Sequence, residues 1–518
     1  MHFDTDLIRL GGPAPMRENP VPSAIRAAEL THKLPSLSEI TTATVPGYDR
    51  AALRAGILHF GLGNFHRAHQ AVYLNDLFQR GEGHDWAIVG ASVREADKPI
   101  QEKLKGQDWL STVVEQEADH ASATITGSMI DYIAPGDTEA ILARLRDPSI
   151  RIVSLTITEG GYYIDPATQA FDATHPDIIH DAAHPEAPRT PFGLILAGLV
   201  HRRDTGIAPF TVMSCDNIPG NGHVTANAVA GLAEKIDPAL ARWVRGTVAF
   251  PNSMVDRITP ATSQRERDIL ARDFDIDDAW PVFCESFRQW VLEDHFPAGR
   301  PALEAVGVQF VPDVAPYEHM KIRILNGGHA TIAYPASLLG IHFVHEAMED
   351  EQIARFLTKV ETDDIIPIVP PVPDTDLAAY FALCQSRFGN PKIGDTNRRL
   401  AHDGANRQPK FIIPSAADSL AAGRDALGLA LVSALWCRYC FGTTDAGAPV
   451  EPNDPSWERL NATARQAKDD PRAWLAMRDI YGDLGGNERF SAGFARALDS
   501  LWTNGVRATL ERYLAGTL

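Results

Sequence analysis

The feature that most constrains this chain is an alternation that begins near Arg54. Four runs, GILHFGLG (56–63), WAIVGASV (86–93), RIVSLTI (151–157) and PFTVMSC (209–215), are apolar, and each ends in small or polar residues. Segments of helical length lie among them at 66–80, 137–147 and 190–204. Strands that alternate with helices form a parallel sheet with crossover helices on its faces. After about residue 310 the alternation stops, and segments 317–340, 345–365, 374–388, 427–442, 471–484 and 490–516 all read as helical. The sequence therefore predicts an α/β fold: a Pro-rich arm over 1–45, a sheet domain over 46–315 and a mainly α-helical domain over 316–518. The stretch IIPIVPPVPD (365–374) is expected as a stiff loop.

Charge narrows the partners. The chain has 518 residues with 48 Lys and Arg against 67 Asp and Glu, a net charge of −19. An acidic chain without a basic block binds nucleic-acid phosphates and anionic membranes poorly, so neither is expected as a partner. The best apolar run, Ala426 to Trp436, suits a buried helix and falls short of the roughly 18 residues of a membrane span. The five cysteines are too few and scattered to staple the chain. Acids occupy the N-terminus where a signal peptide needs a basic region. A soluble, cytoplasmic protein is the expectation.

The first predicted strand runs into Gly61-Leu62-Gly63-Asn64-Phe65-His66. Glycines here allow a tight turn and close approach of a pyrophosphate, as in G-x-G-x-x-G, although His66 stands at the third glycine position. Gly61, Gly63, Asn64 and Phe65 are thus candidate cofactor residues. The second strand ends Arg94-Glu95-Ala96-Asp97. Glu95 or Asp97 can take ribose hydroxyls of NAD; Arg94 can instead accept the 2′-phosphate of NADP, and NAD is the preferred expectation. The next two strands end in Thr158-Glu159-Gly160-Gly161 and Asp216-Asn217-Ile218-Pro219. Ligands bind beyond such strand ends, so Glu159 and Asn217 are candidates, with helix capping the alternative for Asp216 and Asn217. Asn252, Asp256 and Arg257 are polar residues in a further apolar stretch, FPNSMVDRITP (250–260).

Tyr317-Glu318-His319-Met320-Lys321 opens the first helix of the second domain. On a regular α-helix, with Lys321 at zero, Glu318 falls at roughly 60°, His329 at roughly 80° and Asn326 at roughly 140°. One face then carries a Lys, a His and an Asn. A neutral lysine can act as a base, and the other two can hold an oxygen as it gains charge. Tyr317-x-x-x-Lys321 also matches a spacing of short-chain dehydrogenases, but the glycine pattern and the domain are wrong for it. Cys437-x-x-Cys440 is expected to be structural. His66-x-x-His69 lacks a third metal ligand, and no metal is expected.

Seven segments together resemble the polyol-specific long-chain dehydrogenases: 61–77, SLTITEGGYY (154–163), SCDNIPGNG (214–222), 250–260, CESFRQWVLEDHF (284–296), YEHMKIRILNGGHA (317–330) and NRQPKF (406–411). The resemblance implies a Rossmann-like dinucleotide-binding domain, a helical domain and a metal-free site between them. It implies Lys321 as general base, Asn217 and Asn326 as the oxyanion hole, and His329 as the residue that positions the substrate hydroxyl. It further implies that Asp256 tunes the lysine, Glu318 gates proton exchange and Arg399 binds substrate. The expected reaction is NAD-dependent oxidation of a polyol to a ketose, D-mannitol to D-fructose foremost, by a monomer. D-mannonate/fructuronate, D-arabinitol and D-sorbitol are alternative substrates. Many relatives carry Ser where this chain has Gly328, which leaves local substrate preference open.

Overall fold

The computed structural model describes residues 34, 36–165 and 170–518. Eleven strands lie among them: β1 (Ala55–Phe60), β2 (Ala87–Ala91), β3 (Ser111–Gln116), β4 (Ala121–Thr126), β5 (Met129–Tyr132), β6 (Ile152–Leu155), β7 (Thr211–Ser214), β8 (Ser253–Asp256), β9 (Val282–Glu285), β10 (Gln289–Glu293) and β11 (Gln309–Val311). The main sheet has the order β5-β2-β1-β6-β7, with every pairing parallel. The chain leaves β1 toward β2 on one side and returns to β6 on the other. The strand ends of β1 and β6 therefore flank the point where strand order reverses, which opens a crevice in such sheets.

β1 and β2 are buried almost throughout, as a sheet covered on both faces requires. The crossover helix Pro191–Thr205 shows how the local sequence sets the elements. Thr190 accepts from the Gly193 N–H at 2.9 Å, Pro191 opens the first turn, and Gly206 ends it at φ +74°. Buried Asp181 braces this entry, accepting from the N–H groups of Arg189 and Thr190 and from the Thr190 hydroxyl.

Two smaller sheets, β4-β3-β9 and β11-β10-β8, were not anticipated. Their strands are short, and β3–β9 and β8–β10 pair across long sequence separations. The helix expected over 66–80 is split at His69 (φ −122°, ψ −90°) into Asn64–Ala68 and Gln70–Gln79. The buried His69 ring packs among Phe65, Tyr73 and Trp290 and bonds the Gln289 carbonyl at 3.0 Å. Tertiary packing there prevails over helical propensity.

Beyond Ala315 the described elements are helical. Their core gathers Trp436, Trp474, Tyr334, Phe490 and Phe494, and extends to Met254 of β8 and Val291 of β10. One apolar cluster thus joins the helices to the sheet domain. The helix expected over 345–365 breaks at Asp350, whose carboxylate caps the next helix through the Ile353 N–H. No helix among the described residues is long and apolar enough to cross a membrane. The described cysteines are all buried and unpaired, Cys437 and Cys440 inside Leu427–Cys440. Most of the arm expected over 1–45 lies outside the described residues; its last part packs on the β4-β3-β9 sheet, with the Thr44 N–H donating to the Ala123 carbonyl at 3.0 Å.

Candidate active site

A cleft of about 730 Å³ opens where the strand ends meet the helices. Gly63, Asn64 and Phe65 line it after β1, Thr156, Thr158 and Glu159 after β6, and Asp216 and Asn217 after β7. Asp256 to Ala261 follow from β8, and Lys321, Asn326, His329, Arg399 and Arg407 come from the helical side.

The β1 turn is shaped for close approach. Gly61 has φ +97°, and a Cβ there would sit 2.0 Å from the Thr156 carbonyl oxygen. A Cβ on Gly63 would meet nothing within 4 Å, so this glycine faces open cleft. His66, at the third motif position, also borders the cleft; its ring stacks on His59 at 3.6 Å, and both rings are buried. Burial pushes His59 down to about 3, and burial with the neighbouring His59 and Arg67 pushes His66 well below its usual value. Asn64 is tied down by bonds to the Pro260 carbonyl and the Thr262 hydroxyl. Thr158 is held at φ +64°, a strained conformation for a residue with a side chain, and its N–H donates to Asp216. Asp216 also accepts from the Ile157 N–H and the Tyr162 hydroxyl. It therefore fastens β6 to β7 and does not cap a helix; Gly220 holds that position.

Lys321 sits on the cleft floor. Its Nζ donates to Asn217 Oδ1 at 2.7 Å and to the Val255 carbonyl at 2.5 Å. A neutral amine has two N–H groups. In that state both would be spent on these acceptors and the lone pair would be left over. Burial lowers the Lys321 pKa; nearby Asp256 opposes this and Arg387 reinforces it. Asn217 turns its oxygen to the lysine, so its Nδ2 remains as a donor beside the same point. Asn326 Oδ1 and His329 Nε2 are buried without a hydrogen-bond partner among the described residues. Burial and the cations Arg399, Arg387 and Arg407 push His329 well down, so its imidazole is neutral.

The helix that carries these residues departs from the regular geometry assumed above. It runs α over Ala315–Met320, π over Lys321–Asn326 and α again over Gly327–Leu338. A π turn bonds i to i+5 and widens the helix. Residues five apart, such as Lys321 and Asn326, then lie closer to one face than the α projection allows. Gly327 stays helical (φ −62°), and no bend is needed there.

Glu318 lines a smaller pocket of about 40 Å³ that adjoins Lys321, Asn217 and Glu159. Its carboxylate accepts from the Gly220 N–H at 3.1 Å, and burial pushes its pKa up to about 7. Asp256 is bound by Arg387, which also holds Glu285. Neither Arg387 nor Glu285 was singled out from the sequence. Glu285 lies in a segment noted for its resemblance, but an arginine inside the apolar helix Leu377–Phe388 carries no motif.

Arg399 reaches the cleft while its guanidinium pairs with Asp395. Glu159 faces Lys410 across the cleft at 3.7 Å. Glu95 and Asp97 do not line the cleft: Glu95 pairs with Lys98, and Asp97 accepts from the Ser92 hydroxyl at 2.5 Å. Asn252 lies outside it too, and braces the loop through the Gly222 and His223 N–H groups and Glu293. Tyr317 is buried away from Lys321, with its hydroxyl toward the Pro373 carbonyl at 3.5 Å.

Comparison with known proteins agrees over nearly the whole chain. Residues 55–305 match the family model of the mannitol dehydrogenase Rossmann domain, and 313–502 that of the mannitol dehydrogenase C-terminal domain. A mannitol 2-dehydrogenase of Cereibacter sphaeroides is 61% identical, over 91% of this chain and 99% of that one. The structure of Pseudomonas fluorescens mannitol 2-dehydrogenase, a ternary complex with NAD and D-mannitol, superposes with a TM-score of 0.85 at 43% identity, covering 93% of this chain and 99% of that one. A D-sorbitol dehydrogenase in substrate-free form gives 0.84 at 35% identity, covering 92% and 99%. With its strand-end cleft and both halves matched in order, the chain belongs to the mannitol dehydrogenase family.

Proposed function

We propose that this protein oxidises a secondary alcohol of a polyol to a ketose with NAD, D-mannitol to D-fructose foremost, and runs the reaction in reverse. The observation that carries this reading is the seating of Lys321 Nζ between Asn217 Oδ1 and the Val255 carbonyl, on the floor of the cleft. The relatives named above supply the substrate and the cofactor.

The residues present fit a dinucleotide. The open face of Gly63 and the tight turn at Gly61 leave room for a pyrophosphate beside Asn64 and Phe65. Glu95 and Asp97, at the end of the strand next to β1, remain the candidate ribose acids although they lie outside the cleft lining, so one of them would have to leave Lys98 or Ser92 to reach the ribose. Glu159 is the candidate at the nicotinamide end. When bound, NAD supplies the hydride acceptor, which is the cofactor's own chemistry.

The chain's own residues handle the proton and the charge. Lys321 enters neutral and takes the hydroxyl proton through its free lone pair. Asn217 Nδ2 and Asn326 hold the oxygen while it carries negative charge. Neutral His329 aligns the hydroxyl, and Arg399 binds the far end of the polyol. Glu318, poised near neutrality, passes the proton from Lys321 toward solvent through the small pocket. Every residue given a role lies in one chain, as a monomeric enzyme requires. Net charge −19 and unpaired cysteines support a cytoplasmic setting.

The test is initial rates with mannitol, sorbitol, arabinitol and mannonate, each with NAD and NADP, in the presence of a chelator. Mannitol with NAD is expected to be preferred. A second reading, oxidation of mannonate, is favoured by Arg399, Arg407 and Lys410 gathered at one wall, since a terminal carboxylate needs cations. Preference for mannonate would replace the polyol assignment while leaving the role of Lys321 in place.

A further inference from the structure

Arg387 comes from the helical side and binds Asp256, a residue of the cleft lining. It lies near the end of Leu377–Phe388, is buried, and rests on the Phe287 ring at 4.1 Å. Its guanidinium makes four bonds to two carboxylates of the sheet domain. Nη1 and Nη2 donate to Asp256 Oδ2 and Oδ1 at 2.8 and 3.1 Å. Nε and Nη2 donate to Glu285 Oε2 and Oε1 at 2.8 and 2.7 Å. Glu285 is itself fixed by the Ile258 N–H at 2.5 Å. Both oxygens of Asp256 are therefore turned toward Arg387. Lys321 Nζ, bound to the carbonyl one residue before Asp256, takes neutral partners instead.

This arrangement bears on a requirement of the reaction. A lysine must be neutral to act as a base, and a carboxylate in direct contact with a buried lysine holds it as ammonium. Asp256 is close enough to act on Lys321, yet its oxygens are occupied. We propose that Arg387 is a positioning residue that holds Asp256 off Lys321 and so keeps the lysine available as a base. This rests on the assignment of Lys321 as the base.

The charges that face Lys321 come from four elements. Asp256 and Glu285 come from β8 and β9, and Arg387 from Leu377–Phe388. Glu318 and His329 come from the lysine's own helix. Burial pushes the lysine down, Asp256 pulls it up, Arg387 pushes it down, and Glu318 and Glu285 pull it up. Asp256 is faced in turn by Arg387, Lys321 and the neutral His69, with Tyr380 and Cys384 close by. The balance at Lys321 therefore depends on Arg387 in one direction and on the carboxylates in the other.

The experiment is the pH dependence of kcat/KM for mannitol oxidation by the full chain, with thermal stability measured alongside. In Arg387→Met the acid-side limb should move up by about one pH unit or more, a loss of roughly tenfold below the limb with recovery at high pH. Arg387→Lys should bring the limb most of the way back. Glu285→Gln, which removes a negative charge and leaves the Arg387–Asp256 pair in place, should move the limb down. Lower stability with an unmoved limb in these variants would show a merely structural ion pair and overturn the proposal. If Arg387→Met fails to fold, Glu285→Gln decides alone: a limb that stays put or rises overturns it. If Lys321→Ala keeps the parental limb, it is the base assignment that falls.

Discussion

At Lys321, what occupies Nζ decides the chemistry. Two neutral acceptors hold the amine in place, as the proposed base requires. Lys321→Ala should lower kcat by roughly 10²–10⁴-fold, measured by steady-state rates at the pH optimum. Asn217→Ala removes both the lysine's partner and a donor to the reacting oxygen, and should cost on the order of 10²–10³-fold. In each case a variant that turns over like the parent removes that residue from the mechanism. Gly61 carries a different constraint. Alanine there has both a disfavoured φ of +97° and a Cβ 2.0 Å from the Thr156 carbonyl. Gly61→Ala should destabilise the fold by about 2 kcal/mol or more in urea unfolding and raise KM for NAD, because the turn must shift to relieve the contact. Lys321 and Gly61 were legible in the sequence because their chemistry is tied to short spacings, K-x-x-x-x-N-x-x-H and G-x-G, and Asn217 because it ends an apolar strand. The Arg387 cluster was not, since Arg387 meets Asp256 and Glu285 only through packing of segments about 100 residues or more apart.

Among the elements, the four strands expected from apolar runs are present as β1, β2, β6 and β7, adjacent and parallel. Continuous burial made them readable. β3, β4 and β5 mix buried and part-exposed residues over four to six positions without a clean alternation, which periodicity in so short a run does not resolve. The π turn at Lys321–Asn326 has no sequence signature either, yet it sets the spacing of the site. Asn217 depends on the segment that follows it. Gly222 opens the helix Asn221–Ile236 against the carbonyls of Phe250 and Pro251, where a Cβ would come within 2.5 and 2.6 Å. Gly222→Ala should push this helix start off the β8 loop and carry the Asn217 segment with it. The expected outcome is a kcat reduced tenfold or more with NAD binding little changed. Unchanged kcat in a folded Gly222→Ala protein would show that the loop absorbs the shift.

Across the whole molecule, the helices and the sheet domain meet through charged and polar groups set at the edge of a shared apolar core. Lys321 reaches Asn217 and Val255, Arg387 reaches Asp256 and Glu285, and Glu318 accepts from Gly220. Coupling of the two domains should therefore depend on pH. Glu318 is pushed from 4.5 up to about 7, chiefly by burial, with Lys321 and the Gly220 N–H opposing. A carboxyl whose folded pKa is raised binds its proton more tightly when folded. Its contribution is fully present below about pH 4.5, declines as the unfolded form ionises, and is gone above about pH 7. Between pH 5 and pH 8 the protein should lose on the order of 1–2 kcal/mol from this group, less than the full shift because the side chain retains some solvent. Glu318→Gln keeps an acceptor for Gly220 but cannot ionise, so it should lack that loss. Urea unfolding of both proteins at pH 5 and pH 8 gives the comparison. If the two lose stability in parallel, Glu318 is ionised in the folded state at both pH values and its proposed part in proton release near neutrality fails with it.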